Sequence, residues 1–178
     1  SPDKPGTFSR VAGVLSLYNM DVLGAEAHSD EQGMAASEFR VSSQHGDIDW
    51  EPIENNLRLA LSGRLALDSR LADRAANARP RRATSALAPA APTVRFDDSA
   101  SSNATFLEVR APDMVGVLHR ITKAIADCGL DIRHARVLTL GNEVVDSFYV
   151  REPNGGRIND EAYKNEISRA ILHSLGEK

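Results

Sequence analysis

Apolar residues fall at positions 8, 11, 14, 15 and 18, a spacing that keeps them on one face of a helix over residues 6–19. Residues 22–29 and 34–42 then read as two strands joined by the polar turn Ser29-Asp30-Glu31-Gln32-Gly33, which makes a hairpin. Asp49 is a natural N-cap for the next helix, with Pro52 in the first turn, where a missing N–H costs nothing. Ile53, Leu57, Ala60 and Leu61 supply that helix's apolar face. The pattern allows it to continue past Leu65 and Leu71 until Pro80 ends it.

The same order returns later in the chain. Residues 105–111 alternate as a strand, and 117–128 carry a helical stripe at Leu118, Ile121, Ile125 and Cys128. Residues 132–140 and 144–150 form a hairpin about Gly141-Asn142. A last helix, with Asn159 as the expected cap, buries Tyr163, Ile167, Ala170 and Ile171. At an offset of 110 the two halves share Asp3/Asp113, Gly6/Gly116, Arg10/Arg120, Asp21/Asp131 and Ala25/Ala135. The chain therefore contains an internal repeat. The hairpin of the second copy is one residue shorter and the loop after it one longer, so the changes are confined to loops.

The expected architecture is α+β: two ferredoxin-like βαββαβ modules, antiparallel sheets with helices on one face. The first module spans residues 1–78 and lacks its first strand; residues 93–98 are a candidate fourth strand for it. Residues 79–92, rich in Ala and Pro, read as a linker, and residues 104–178 form the second module. Side-by-side packing of the modules, within one chain or in a homodimer, would cover the open sheet edges.

Composition removes several function classes. The net charge of −4 gives no general attraction to nucleic acid or anionic membrane. An RNA-binding module of the same strand order needs aromatic platforms, whereas Glu108, Val109 and Arg110 occupy the relevant strand. One cysteine, Cys128, forms no disulfide within the chain, and no apolar run approaches the ~20 residues of a membrane span, so a cytoplasmic setting is expected. Ser1-Pro2-Asp3 opens in mid-motif, which suggests a piece of a longer protein.

The chemistry lies at the turn into the first helix of each copy. Gly6 and Gly116 let backbone approach a ligand, and the helix N-terminus behind them suits a carboxylate. Asp3 and Asp113 can pair an ammonium at the same place, while Asp21 and Asp131, after each helix, can serve the neighbouring copy's site. Together these groups fit the two ends of a free α-amino acid. A second ligand carboxylate among them would be repelled by about 4 kcal/mol at ~4 Å and an effective dielectric of 20, so a neutral amide is preferred.

Both copies resemble ACT domains, small βαββαβ ligand-binding modules that regulate metabolic enzymes. Asp3-Lys4-Pro5-Gly6 keeps the D-x-P-G turn typical of that family, whereas Val115 replaces its proline in the second copy. Residues 3–29 and 106–150, the latter including the R-x-x-T-L-G-x-E-V-V-D-x-F-Y-V segment (residues 136–150), resemble the C-terminal tandem ACT region of PII-protein uridylyltransferase/uridylyl-removing enzymes. The resemblance implies glutamine as ligand, allosteric control of upstream nucleotidyltransferase and hydrolase domains, and no catalytic residue, cofactor or metal site in this chain. The alternative is a ligand-free structural pair that serves dimerisation.

Overall fold

The structure is a computed structural model that describes residues 6–29, 35–43, 48–78 and 90–176. Helix α1 (Thr7–Leu17) starts at Gly6 and ends through Asn19, whose φ is +55°. Its counterpart α4 (Val117–Asp127) starts at Gly116 and ends through Gly129, φ +74°. Left-handed residues close helices in this way, and glycine or asparagine tolerates the conformation best. The same backbone device is thus built twice from different residues.

Strands β1 (Met20–Ser29) and β2 (Ala35–Ser43) form the first hairpin. In the second repeat, β4 (Thr105–Pro112), β5 (Asp131–Leu140) and β6 (Glu143–Arg151) form three sheet neighbours. A short strand β3 (Thr93–Asp97) precedes them. All join one antiparallel sheet of order β2-β1-β5-β6-β4-β3. Strands β1 and β5 meet with Ala25 opposite Ala135, so repeat-related residues face each other across a local two-fold relation. The repeats share a continuous sheet rather than packing as two separate ones.

One face of that sheet carries the helices. Phe8, Ala12 and Leu15 of α1, Leu118, Ile121 and Ile125 of α4, and Ile167 and Ile171 of α5 (Glu161–Ser174) pack with Val22, Leu107, Val109, Phe148 and Val150 from the strands. Fully burying a side chain of this size contributes roughly 1.5–3 kcal/mol, and here the contributions come from both repeats within one core. No helix among the described residues is long and apolar enough to cross a membrane.

Three expectations are corrected. The helix after Asp49 does not run on: α2 (Trp50–Leu61) stops at Ser62-Gly63, and α3 (Leu67–Asn77) is separate. Gly63 has φ +72°, its N–H donates to Ala60 O (3.0 Å), and Arg64 N–H donates to Leu59 O (2.8 Å). This doubly bonded glycine terminus stops a helix regardless of the apolar residues beyond it. Strand β3 does not complete the first repeat either, because it pairs with β4 at the far edge, Val94 opposite Val109. Asp160, not Asn159, caps α5 and accepts from Ala162 N–H at 2.9 Å. Asp49 does cap α2, accepting from Glu51 N–H at 3.2 Å. Most of the expected linker lies outside the described residues.

Candidate functional site

Helices α1 and α4 lie against each other, which sets the N-terminal turn of each repeat beside the C-terminal half of the other repeat's helix. Around Gly6 this produces a cavity of about 320 Å³, at the small end of the ~300–1,000 Å³ range for ligand pockets. Ser9 and Arg10 of α1 line it from one side, Lys123, Ala126 and Asp127 of α4 from another, and Asp68 of α3 closes it. Gly6 holds φ +82° and no side chain caps α1, so the helix presents its N-terminal end to the cavity. Lys123 is bonded to Asp127 at 2.7 Å, and that hydrogen bond holds its pKa above the ordinary lysine value against partial burial. Arg10 has no partner among the described residues.

The wall between the repeats rests on His119, which is 5% exposed. Its Nδ1 lies 2.7 Å from Ser9 O and its Nε2 lies 2.8 Å from Asp68 Oδ1. Both ring nitrogens face oxygen acceptors, an arrangement satisfied in full only when both carry a proton. Gly13 makes the approach possible, since a Cβ there would sit 2.7 Å from Leu67 Cδ2 and 2.8 Å from His119 Nδ1. The glycine is used for close packing of three helices, not for its φ.

The Gly116 turn has the same backbone, φ +75°, but is filled by the chain itself. Its N–H donates to Ser16 Oγ at 3.0 Å. A Cβ at Gly116 would meet Leu71 of α3 at 3.5 Å. Arg74, one turn further along α3, donates to the Asn19 side chain at the end of α1. Helix α3 thus leaves the Gly6 turn open to a cavity and seals the Gly116 turn.

Residues 105–169 match the ACT domain family. The matched stretch runs from β4 into α5 of the second repeat. Over 97% of its length the chain is 33% identical to a bifunctional uridylyltransferase/uridylyl-removing enzyme of Gluconobacter oxydans, covering 18% of that enzyme. It is 36% identical, over 98% of its length, to the enzyme of the same description from Streptomyces coelicolor, covering 21% of it. For that of Rhodospirillum rubrum the figures are 34%, 95% and 18%. The chain spans about a fifth of these relatives, in their C-terminal region.

Within the second repeat, Asp113 sits in the turn after β4, with its backbone N–H donating to Asn142 O of the β5–β6 turn at 2.8 Å. Asp131, at the start of β5, accepts from Arg133 at 3.0 Å and does not line the Gly6 cavity. Asp21 stands at the corresponding place in β1, opposite Ser42 of β2. Asp3 lies outside the described residues. Of the five expected site residues that are described, Gly6 alone lines the cavity.

Sequence reasoning missed Arg10, Asp68, His119 and Asp146. Asp146 is fully buried on the helix-covered face of β6, between Val109 of β4 and Val137 of β5, and neither carboxylate oxygen has a hydrogen-bond partner. Burial pushes its pKa up to about 7, and the Leu138 backbone N–H on the neighbouring strand, too poorly placed for a proper hydrogen bond, offsets this only in part. The sequence carried a signal for it: Asp146 falls in phase with Val144, Phe148 and Val150 along an alternating strand.

Proposed function

We propose that this chain is the amino-acid-sensing regulatory region of a nucleotidyltransferase/nucleotidyl-removing enzyme of nitrogen signalling, built as two ACT modules that share one sheet. Glutamine is the proposed ligand and the Gly6 cavity its seat. The carrying observation is the cavity itself, which combines an uncapped helix N-terminus and Arg10, unpartnered among the described residues, on one side with Asp68 and Asp127 on the other. The first pair suits the α-carboxylate; the second pair suits the ammonium and disfavours a second ligand carboxylate. Similarity to bifunctional uridylyltransferase/uridylyl-removing enzymes supports a regulatory place for the chain beside catalytic domains. The catalytic response is governed by the difference in ligand affinity between two states of the parent protein.

Isothermal titration with glutamine and glutamate tests this reading. Saturable binding of glutamine is expected, with glutamate weaker by tenfold or more. Arg10→Gln should remove a charged hydrogen bond worth about 1.5–3 kcal/mol, and so weaken glutamine by at least tenfold. Equal affinity for the two amino acids, or full affinity in Arg10→Gln, would refute the assignment. For the Gly116 turn, occupation by Ser16 and Leu71 favours the second reading, a packing role that holds the repeats together.

A further inference from the structure

A second cavity, of about 410 Å³, lies where the end of β6 and the loop after it meet the turn that precedes β4. It shares no lining residue with the Gly6 cavity. Arg151 and Arg157 line it with Ser102, Asn103 and Asn159, and no carboxylate is among the lining residues. In a chain of net charge −4, two guanidinium groups around one cavity form a local positive centre.

The arginines are also under-used. Arg151 has no ion pair or hydrogen bond from its side chain among the described residues. Asp131 lies opposite Arg151 in the sheet register, but its carboxylate is bonded to Arg133. Arg157 uses one nitrogen for Asp98, 2.8 Å to its carbonyl and 3.5 Å to its carboxylate. That carboxylate is in turn held by Lys164 at 2.7 Å, and Glu152 nearby is bonded to Asn154 at 3.0 Å. The Nε of both Arg151 and Arg157 is shielded from water with no hydrogen-bond partner. Unused buried donors of this kind are rare in folded proteins, and a bound ion is one of their standard explanations.

We propose that this cavity is a binding site for a tetrahedral oxyanion: inorganic phosphate or the phosphate group of a monoester. Phosphate offers more acceptor oxygens than a carboxylate, and five residues with donor side chains line the cavity. Arginine forks match such oxygens with paired hydrogen bonds. The seat stands apart from the proposed amino-acid site, so it survives if that reading fails.

The test is ³¹P NMR titration of the 178-residue chain with inorganic phosphate and with a nucleoside monophosphate at fixed ionic strength, with acetate as competitor. Saturable binding is expected, with acetate displacing phosphate poorly. Tighter binding of the monophosphate assigns the site to an ester, and tighter binding of inorganic phosphate assigns it to the free ion. Arg151→Gln should weaken the anion at least tenfold while leaving thermal unfolding in anion-free buffer unchanged, because the Arg151 side chain has no partner to lose among the described residues. Arg157→Gln should weaken it similarly, with some loss of stability through Asp98. Arg10→Gln should bind phosphate normally. A response that does not saturate, acetate competing on equal terms, or full affinity in Arg151→Gln would each overturn the proposal.

Discussion

The two helix-entry turns of this molecule have almost the same backbone and opposite surroundings. Gly6 and Gly116 both hold positive φ, both precede a helix without a side-chain cap, and both abut the other repeat's helix. One opens on a cavity bearing Arg10, Asp68 and Asp127; the other is closed by Ser16 and Leu71. The difference arises outside the repeated pattern. Helix α3 crosses the seam between α1 and α4, and its two buried leucines, Leu67 and Leu71, join Val14, Ile53 and Ala60 in a second small core. Duplication supplies two equivalent turns, and a non-repeated helix makes them unequal.

The largest expected effect concerns a residue that only the second repeat has. Asp146 carries a carboxyl whose pKa is about 7 when folded, against an ordinary 3.8. Below pH ~4 it is protonated in both states. Between about 4 and 7 the folded state keeps a proton that the unfolded state releases, so raising the pH removes stability. Above about 7 both states are ionised and the whole penalty is present, on the order of 4 kcal/mol at 1.36 kcal/mol per pKa unit. Asp146→Asn should therefore be more stable than the parent at pH 8 and differ little at pH 4. Urea unfolding at the two pH values checks this; an unchanged gap between variant and parent would show that the buried carboxyl does not titrate as stated.

The next effect attacks the seal. Leu71 is 6% exposed, and Leu71→Ala leaves a hole beneath α3, with an expected loss of about 3 kcal/mol. It also uncovers the Gly116 turn, so hydrogen exchange should rise at the first amides of α4 and stay level at those of α1. Similar exchange increases at both turns would mean that α3 covers the two ends alike.

How far the sequence revealed this arrangement depends on the range of the interaction. The stripes of α1 and α4, the two hairpins and the Asp49 cap are local patterns, and each is found where periodicity or capping chemistry sets it. The break at Ser62-Gly63 was also locally encoded, but the apolar residues Leu65 and Leu71 concealed it. The partner of β3 was not legible, since a five-residue strand joins whichever edge the rest of the sheet offers. The inequality of Gly6 and Gly116 was least legible of all. It depends on where α3 lands, and Gly13, which admits that helix, resembles any other mid-helix glycine in sequence.

The smallest effect expected is also the most direct test of the comparison, because it makes the two ends alike. Ser16 aligns at the repeat offset with Ala126, so the first repeat's helix carries a hydroxyl at a place where the second carries a methyl. That hydroxyl accepts the Gly116 N–H at 3.0 Å, and a neutral hydrogen bond contributes about 1 kcal/mol net. Ser16→Ala should cost about that much in urea unfolding, with Leu71 still over the turn and the number of ligand sites unchanged. Adding Leu71→Ala should convert the Gly116 turn into a second open seat. The two substitutions act on one contact, so their stability costs should not add. Titration with glutamine should then give a stoichiometry moving from one toward two per chain. A double variant that is folded and still binds one ligand would mean that the turns differ for a reason other than the seal, with Arg120, the counterpart of Arg10 at the repeat offset, as the next residue to substitute.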